Sequence, residues 1–146
     1  MSKPTRTSSA YSSIISDLAE PRIVSNLGPI AARFIYSLRL IALHERVKRD
    51  PVPELTVRLH GVEMAAKSLA LSHTIAAVWP ENVRVSRFCC QRLTYDEATI
   101  GALLDMAWKR DRAAFDAQIA GFIRPERGER LWDDVLGLLT AEANAA

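Results

Sequence analysis

Apolar residues recur at alternating steps of three and four along most of this 146-residue chain. Prolines stand between those periodic stretches or at their first turns. Only one short stretch alternates as a strand would. Together these observations predict an all-α protein, a single-domain bundle of six helices. Side chains three and four apart share one helix face, so this spacing is what a buried helical face requires.

The bundle is expected to form around a central helix over residues 53–79. One apolar line there runs Leu55, Leu59, Val62, Ala66, Leu69, His73, Ala76, and a second runs Val57, Met64, Leu71, Val78 with Ile75 beside it. A narrow polar stripe remains, made of Thr56, His60, Glu63, Lys67 and Thr74. A helix apolar over most of its circumference belongs in a core. Gly61 inside it costs about 1 kcal/mol against alanine, so it marks close packing or a bend.

The other elements follow in order. Residues 1–10 are Ser/Thr-rich and read as a flexible tail, leaving 11–146 as the helical domain. Tyr11, Ile14, Ile15 and Leu18 predict a short helix over Ser8–Glu20, ended by Pro21. Gly28-Pro29 opens a second helix running to Arg49, with Ala31, Phe34, Leu38 and Ile41 inward. Arg46, Lys48 and Arg49 in its last turns suit the negative end of the helix dipole. Asp50-Pro51-Val52-Pro53 breaks the chain before the central helix, and Pro80 ends that helix. Residues 81–93 read as an extended connector, in which Val83 and Val85 alternate with Arg84 and Arg87; a lone strand has no evident partner. Thr94-Tyr95-Asp96-Glu97 has the spacing of a capping box. The helix it opens buries Ile100, Leu103, Leu104 and Ala107. Asp111 caps the next, with Phe115, Ile119 and Phe122 inward, and Pro125 opens the last, with Leu131, Val135 and Leu138 inward.

Composition narrows the functional classes. The chain is 49% hydrophobic and 25% charged, with a net charge of +2. That charge is too mild to imply nucleic acid or a membrane surface. A domain this long buries roughly 68–70% of its unfolded surface, enough for a core without disulfides or metals. The two cysteines are adjacent and cannot staple distant segments, so nothing points to an oxidising compartment. The N-terminus lacks an apolar signal core and no run approaches a spanning length, so a cytoplasmic setting is expected.

The most distinctive cluster is Cys89 and Cys90 with Arg87 and Arg92. Nearby arginines favour the thiolate, the nucleophilic and redox-active form. The segment also ends at a helix N-terminus, so an anion could sit among Arg84, Arg87, Arg92 and the Thr94 turn. The duller reading is that one cysteine is a small buried hydrophobe and the other faces out. His73, on the expected core stripe, is a candidate ligand or base, or else a buried histidine paired with a neighbour. Thr94 and Glu97 are expected to be structural. No metal-binding spacing and no glycine-rich phosphate loop occurs, so no metal and no cofactor is implied. Residues 93–123 superficially resemble a helix-turn-helix. They lack a glycine turn and a cationic outer face, which places DNA binding last.

The run FCCQRLTYDEATIGALLDMA resembles a small family of uncharacterised bacterial proteins. Their motif, Cys-Cys-x-Arg-Leu/Met-Thr-x-Asp-Glu, is carried here by Cys89, Cys90, Arg92, Leu93, Thr94, Asp96 and Glu97. A third cysteine often precedes the pair in that family, and Phe88 stands there in this chain. The resemblance implies a bacterial protein and supplies no activity. The reading favoured by the sequence is a non-enzymatic helical module that binds a protein partner or a second copy of itself. The alternative is a small enzyme or anion-binding protein using the cysteine–arginine cluster.

Overall fold

Residues 22–145 are described by the computed structural model. The tail over 1–10 and the helix expected over Ser8–Glu20 lie outside them. A 3-10 turn over Val24–Asn26 leads into six helices: α1 Pro29–Arg46, α2 Val52–Leu59, α3 Val62–Val78, α4 Tyr95–Trp108, α5 Arg112–Ile119 and α6 Pro125–Ala145. The fold is all-α, as expected. Its main core joins α1, α3, α4 and α6 through Phe34, Ile35, Leu71, Ile75, Leu104 and Leu138. A smaller core forms where Leu40 and Ile41 of α1 meet Leu55 of α2 and Ala65 of α3.

The expected central helix is two helices. His60 takes a left-handed conformation at φ 57°, and the Gly61 amide donates back to the Thr56 carbonyl at 3.1 Å. That hydrogen bond closes α2, and α3 starts afresh at Val62. Gly61 is therefore a bend, since a Cβ placed there would meet nothing within 4 Å. The break also overturns the expected core stripe. Val62, Ala66, His73 and Ala76 face solvent, while Met64, Leu71, Ile75 and Val78 are buried. Thr74, read as polar surface, is buried and donates to Asp134 of α6. Val57 of the second line is exposed on α2.

The ends of α1 and α4 follow one rule. α1 stops at Arg46, short of Arg49, because Lys48 is left-handed at φ 57°. The Lys48 amide then donates to the Glu45 carbonyl at 3.1 Å and the Arg49 amide to the His44 carbonyl at 2.8 Å. α4 ends the same way: Arg110 sits at φ 59°, its amide donates to Ala107 at 3.0 Å, and that of Asp111 to Met106 at 3.0 Å. Both are Schellman motifs with a non-glycine residue at the position glycine usually fills.

The connector over residues 81–93 has no regular strand, yet it does find a partner. An isolated antiparallel bridge joins Ile23 to Arg92, with the Val24 amide donating to Gln91 at 2.9 Å and the Leu93 amide to Arg22 at 2.7 Å. Periodicity could not reveal this pairing, because two or three residues are too few to show a period.

Candidate functional site

One buried ion pair reaches the connector from beneath. Arg39, on the inner face of α1, and Glu97, in the first turn of α4, are both fully buried, with side-chain exposures of 0% and 0%. Arg39 Nε donates to Glu97 Oε2 at 2.7 Å and Nη2 to Oε1 at 3.0 Å, a two-pronged pairing. The remaining donors of Arg39 turn to the connector backbone: Nη1 donates to the Cys90 carbonyl at 2.6 Å, and Nη2 to the Arg92 carbonyl at 3.0 Å. Glu97 in turn accepts the amides of Thr94 at 2.9 Å and Ser86 at 3.3 Å.

Burial opposes both charges here, and their mutual hydrogen bonds and opposite charge outweigh it. Arg39 is raised above the ordinary arginine pKa, and Glu97 is held below the ordinary carboxylate value, helped by the Thr94 and Ser86 amides. Both groups are charged at neutral pH.

The capping box is present: Thr94 Oγ1 accepts the Glu97 amide at 3.0 Å and itself donates to the Arg84 carbonyl at 2.6 Å. Glu97 has the structural role expected of it, and a larger one than capping alone. It is a buried anchor of the connector. Asp96 is also engaged, accepting the Arg84 amide at 2.8 Å and Trp79 Nε1 at 3.2 Å. The N-terminus of α4 thus already faces two carboxylates, which occupy the place where an anion near the Thr94 turn was expected.

The expected candidates do not converge on one centre. Cys89 is exposed and Cys90 half-buried at a turn closed by the Cys90 amide donating to the Arg87 carbonyl at 3.0 Å. Neither cysteine is core, because the Arg39 guanidinium, not a cysteine side chain, fills the space beneath the turn. Arg87 and Arg92 extend to solvent. His73 is exposed and pairs with Glu45 at 3.2 Å, so it is paired as expected, but on the surface. Among the described residues no group of three His, Cys, Asp or Glu stands close enough to hold a metal ion. On the outer face of α5, Arg112 is bound to Asp116 and Glu129.

The connector turn separates two depressions, and Phe88 lines both. On one side an apolar cleft of about 330 Å³ lies between α1 and α2, floored by Tyr36, Leu40, Leu55 and Leu59, with Arg33 and Arg58 at its edge. On the other a basic hollow of about 210 Å³ is bounded by Arg39, Leu43, Arg46, Ser86 and Arg87. The Phe88 ring packs edge-on to Tyr36 at 5.7 Å, and Arg58 lies over it at 4.8 Å. A third and wider hollow, about 710 Å³, opens at the far end of the connector beside Trp79, Tyr95 and Phe122. Arg22, the first described residue, lies over Tyr95 at its edge.

Sequence reading missed Arg39, Phe88 and the cleft. A weak signal for Arg39 was available, because it is a charged residue set among Leu38, Leu40 and Ile41, and buried charges need a partner. Compared with protein-family models, with curated proteins and with solved structures, the chain matches none.

Proposed function

We propose that this chain is a non-enzymatic helical binding module and that the cleft between α1 and α2 receives a group from a protein partner. The observation that carries the reading is the cleft itself. It is concave and apolar, and at about 330 Å³ it falls within the size range of preformed binding sites. The polar groups nearest the connector serve its structure: Arg39, Glu97, Thr94 and Asp96 are all held in hydrogen bonds. Exposed apolar residues beyond the cleft, Leu43, Val47, Val57, Val62 and Trp108, also suit a surface that meets another protein.

Photo-crosslinking tests the reading. A benzophenone side chain introduced at Leu59, in the cleft, should trap a discrete partner, and the same group at the exposed Asp133 of α6 should not. Equal trapping at both sites, or at neither, would count against the cleft as a binding site.

A second reading keeps the cysteine pair in view, because Cys89 is exposed at the tip of the turn. It makes the pair a redox or nucleophilic site. Alkylation kinetics decide it. A thiol reacting no faster than a free cysteine in an unstructured peptide removes the chemical basis for that role.

A further inference from the structure

We infer that the partner segment is acidic and carries one large apolar side chain: the apolar group enters the α1–α2 cleft, and carboxylates a few residues away reach the arginine hollow across Phe88. The inference rests on the binding-module reading above. Three observations carry it.

The first is the arrangement of the depressions. The cleft and the hollow share Phe88 as a common wall, so one extended segment can serve both. The cleft has room for a leucine or phenylalanine and offers it Tyr36, Leu55, Leu59 and Phe88. The hollow, at about 210 Å³, is smaller and its lining is more polar, with Arg39, Arg46, Arg87 and Ser86 beside Leu43, Val85 and Phe88.

The second is charge. Arg46 and Arg87 have no carboxylate partner within ion-pair distance among the described residues. Arg33 and Arg58, at the cleft edge, each use one N–H group on a carboxylate, those of Glu142 and Glu54, and keep the other donors. The edge of the hollow is therefore cationic at Arg46 and Arg87, on a chain whose net charge is only +2. An acidic segment is the complement such a rim selects, and rim charges chiefly set on-rate and specificity.

The third is rigidity. The turn that carries Arg87 and Phe88 is pinned by Arg39 to the Cys90 and Arg92 carbonyls. A binding edge held in place loses less freedom on association than a loose loop would.

Selection of a random dodecapeptide display library against the full chain tests this. Enriched peptides should carry Leu, Phe or Trp with two or more Asp or Glu within about four residues, the reach of a short extended segment. A synthetic peptide of the consensus should bind at least tenfold more weakly to the double variant Arg46→Glu/Arg87→Glu. Both positions are exposed, so unchanged circular dichroism is expected of that variant. The consensus peptide should also lose affinity when its apolar anchor becomes alanine, and affinity should fall steeply with salt. Enrichment of peptides without acidic excess, which still compete at Leu59, would overturn the acidic-partner inference and leave the cleft reading standing. No enrichment, together with no crosslinking at Leu59, would overturn both. Binding of inorganic phosphate to the hollow with no contribution from an apolar anchor would also overturn the inference.

Discussion

Residues 53–79 and residues 81–97 adjoin in the chain and are held by opposite means. The first stretch is periodic and apolar, and it makes two helices whose buried side chains are spread over both cores. Many weak, partly redundant contacts stabilise it, and one bend at His60 interrupts it without loosening it. The second stretch is irregular up to Tyr95, and only Val83, Val85, Phe88 and Leu93 of it pack against the cores. It has a single buried ion pair beneath it, and the carbonyls of Cys90 and Arg92 and the amides of Ser86 and Thr94 all depend on that pair. A helix wall made this way tolerates change at most positions. A connector made this way concentrates its buried polar anchoring at two.

The contrast is broken most directly at Arg39. Arg39→Met should destabilise by about 3–5 kcal/mol, because it leaves the Glu97 carboxylate buried without its partner. Chemical denaturation measures this, and a loss below 1 kcal/mol would mean the pair is not the anchor. Single large-to-small changes such as Val57→Ala, on exposed α2 surface, should lie within about 0.5 kcal/mol of the parent.

Glu97→Gln should cost about 2–3 kcal/mol at neutral pH, in the range for hydrogen bonds to charged groups. Its pH dependence sharpens the point. The carboxyl is held below its ordinary value near 4.5 in the folded chain. Its contribution is therefore complete above that ordinary value and is lost as pH falls through the lower folded value. Stability curves of the parent and Glu97→Gln should run parallel above about pH 5 and converge in acid. Curves that stay parallel down to pH 2 would show that the Glu97 carboxyl binds its proton equally well in the folded and unfolded chain, so that the pair with Arg39 does not favour its charged form. Arg39→Met and Glu97→Gln together should cost clearly less than the sum of the two, since each removes the same pairing.

Thr94→Ala comes next, at about 1–2 kcal/mol, for the lost cap on the Glu97 amide and the lost bond to the Arg84 carbonyl. Glu97 is the more costly of the two capping residues, since its carboxylate is buried against Arg39. Thermal unfolding of the two single variants ranks them, and the reverse order would place Glu97 at the surface.

A further expected effect has the opposite sign and belongs to the periodic stretch. His60→Gly relieves a left-handed residue at φ 57° and should stabilise by about 0.5–1 kcal/mol. Lys48→Gly and Arg110→Gly should act alike, since both close a Schellman motif. Destabilisation by His60→Gly would indicate that α2 and α3 run on as one helix.

The all-α fold, the helix starts at Pro29, Asp111 and Pro125, the inward faces of α1, α4 and α6 and the capping box at Thr94 were all determined by sequence alone. Each depends on residues within one or two helical turns, so spacing and capping chemistry suffice to state it. The same local logic failed at residues 53–79. Two apolar stripes were available there, and only packing against α6 decided that Met64, Leu71 and Ile75 would be buried and His73 exposed. Tertiary structure alone also decided what lies around the connector. Arg39 and Glu97 are 58 positions apart and meet only because α1 and α4 pack together. The cleft depends on the same packing, since its walls come from α1, α2 and the turn at Phe88. Long-range polar pairing has no sequence period, so residues that form it can be read from the chain only as charges in apolar company that require a partner.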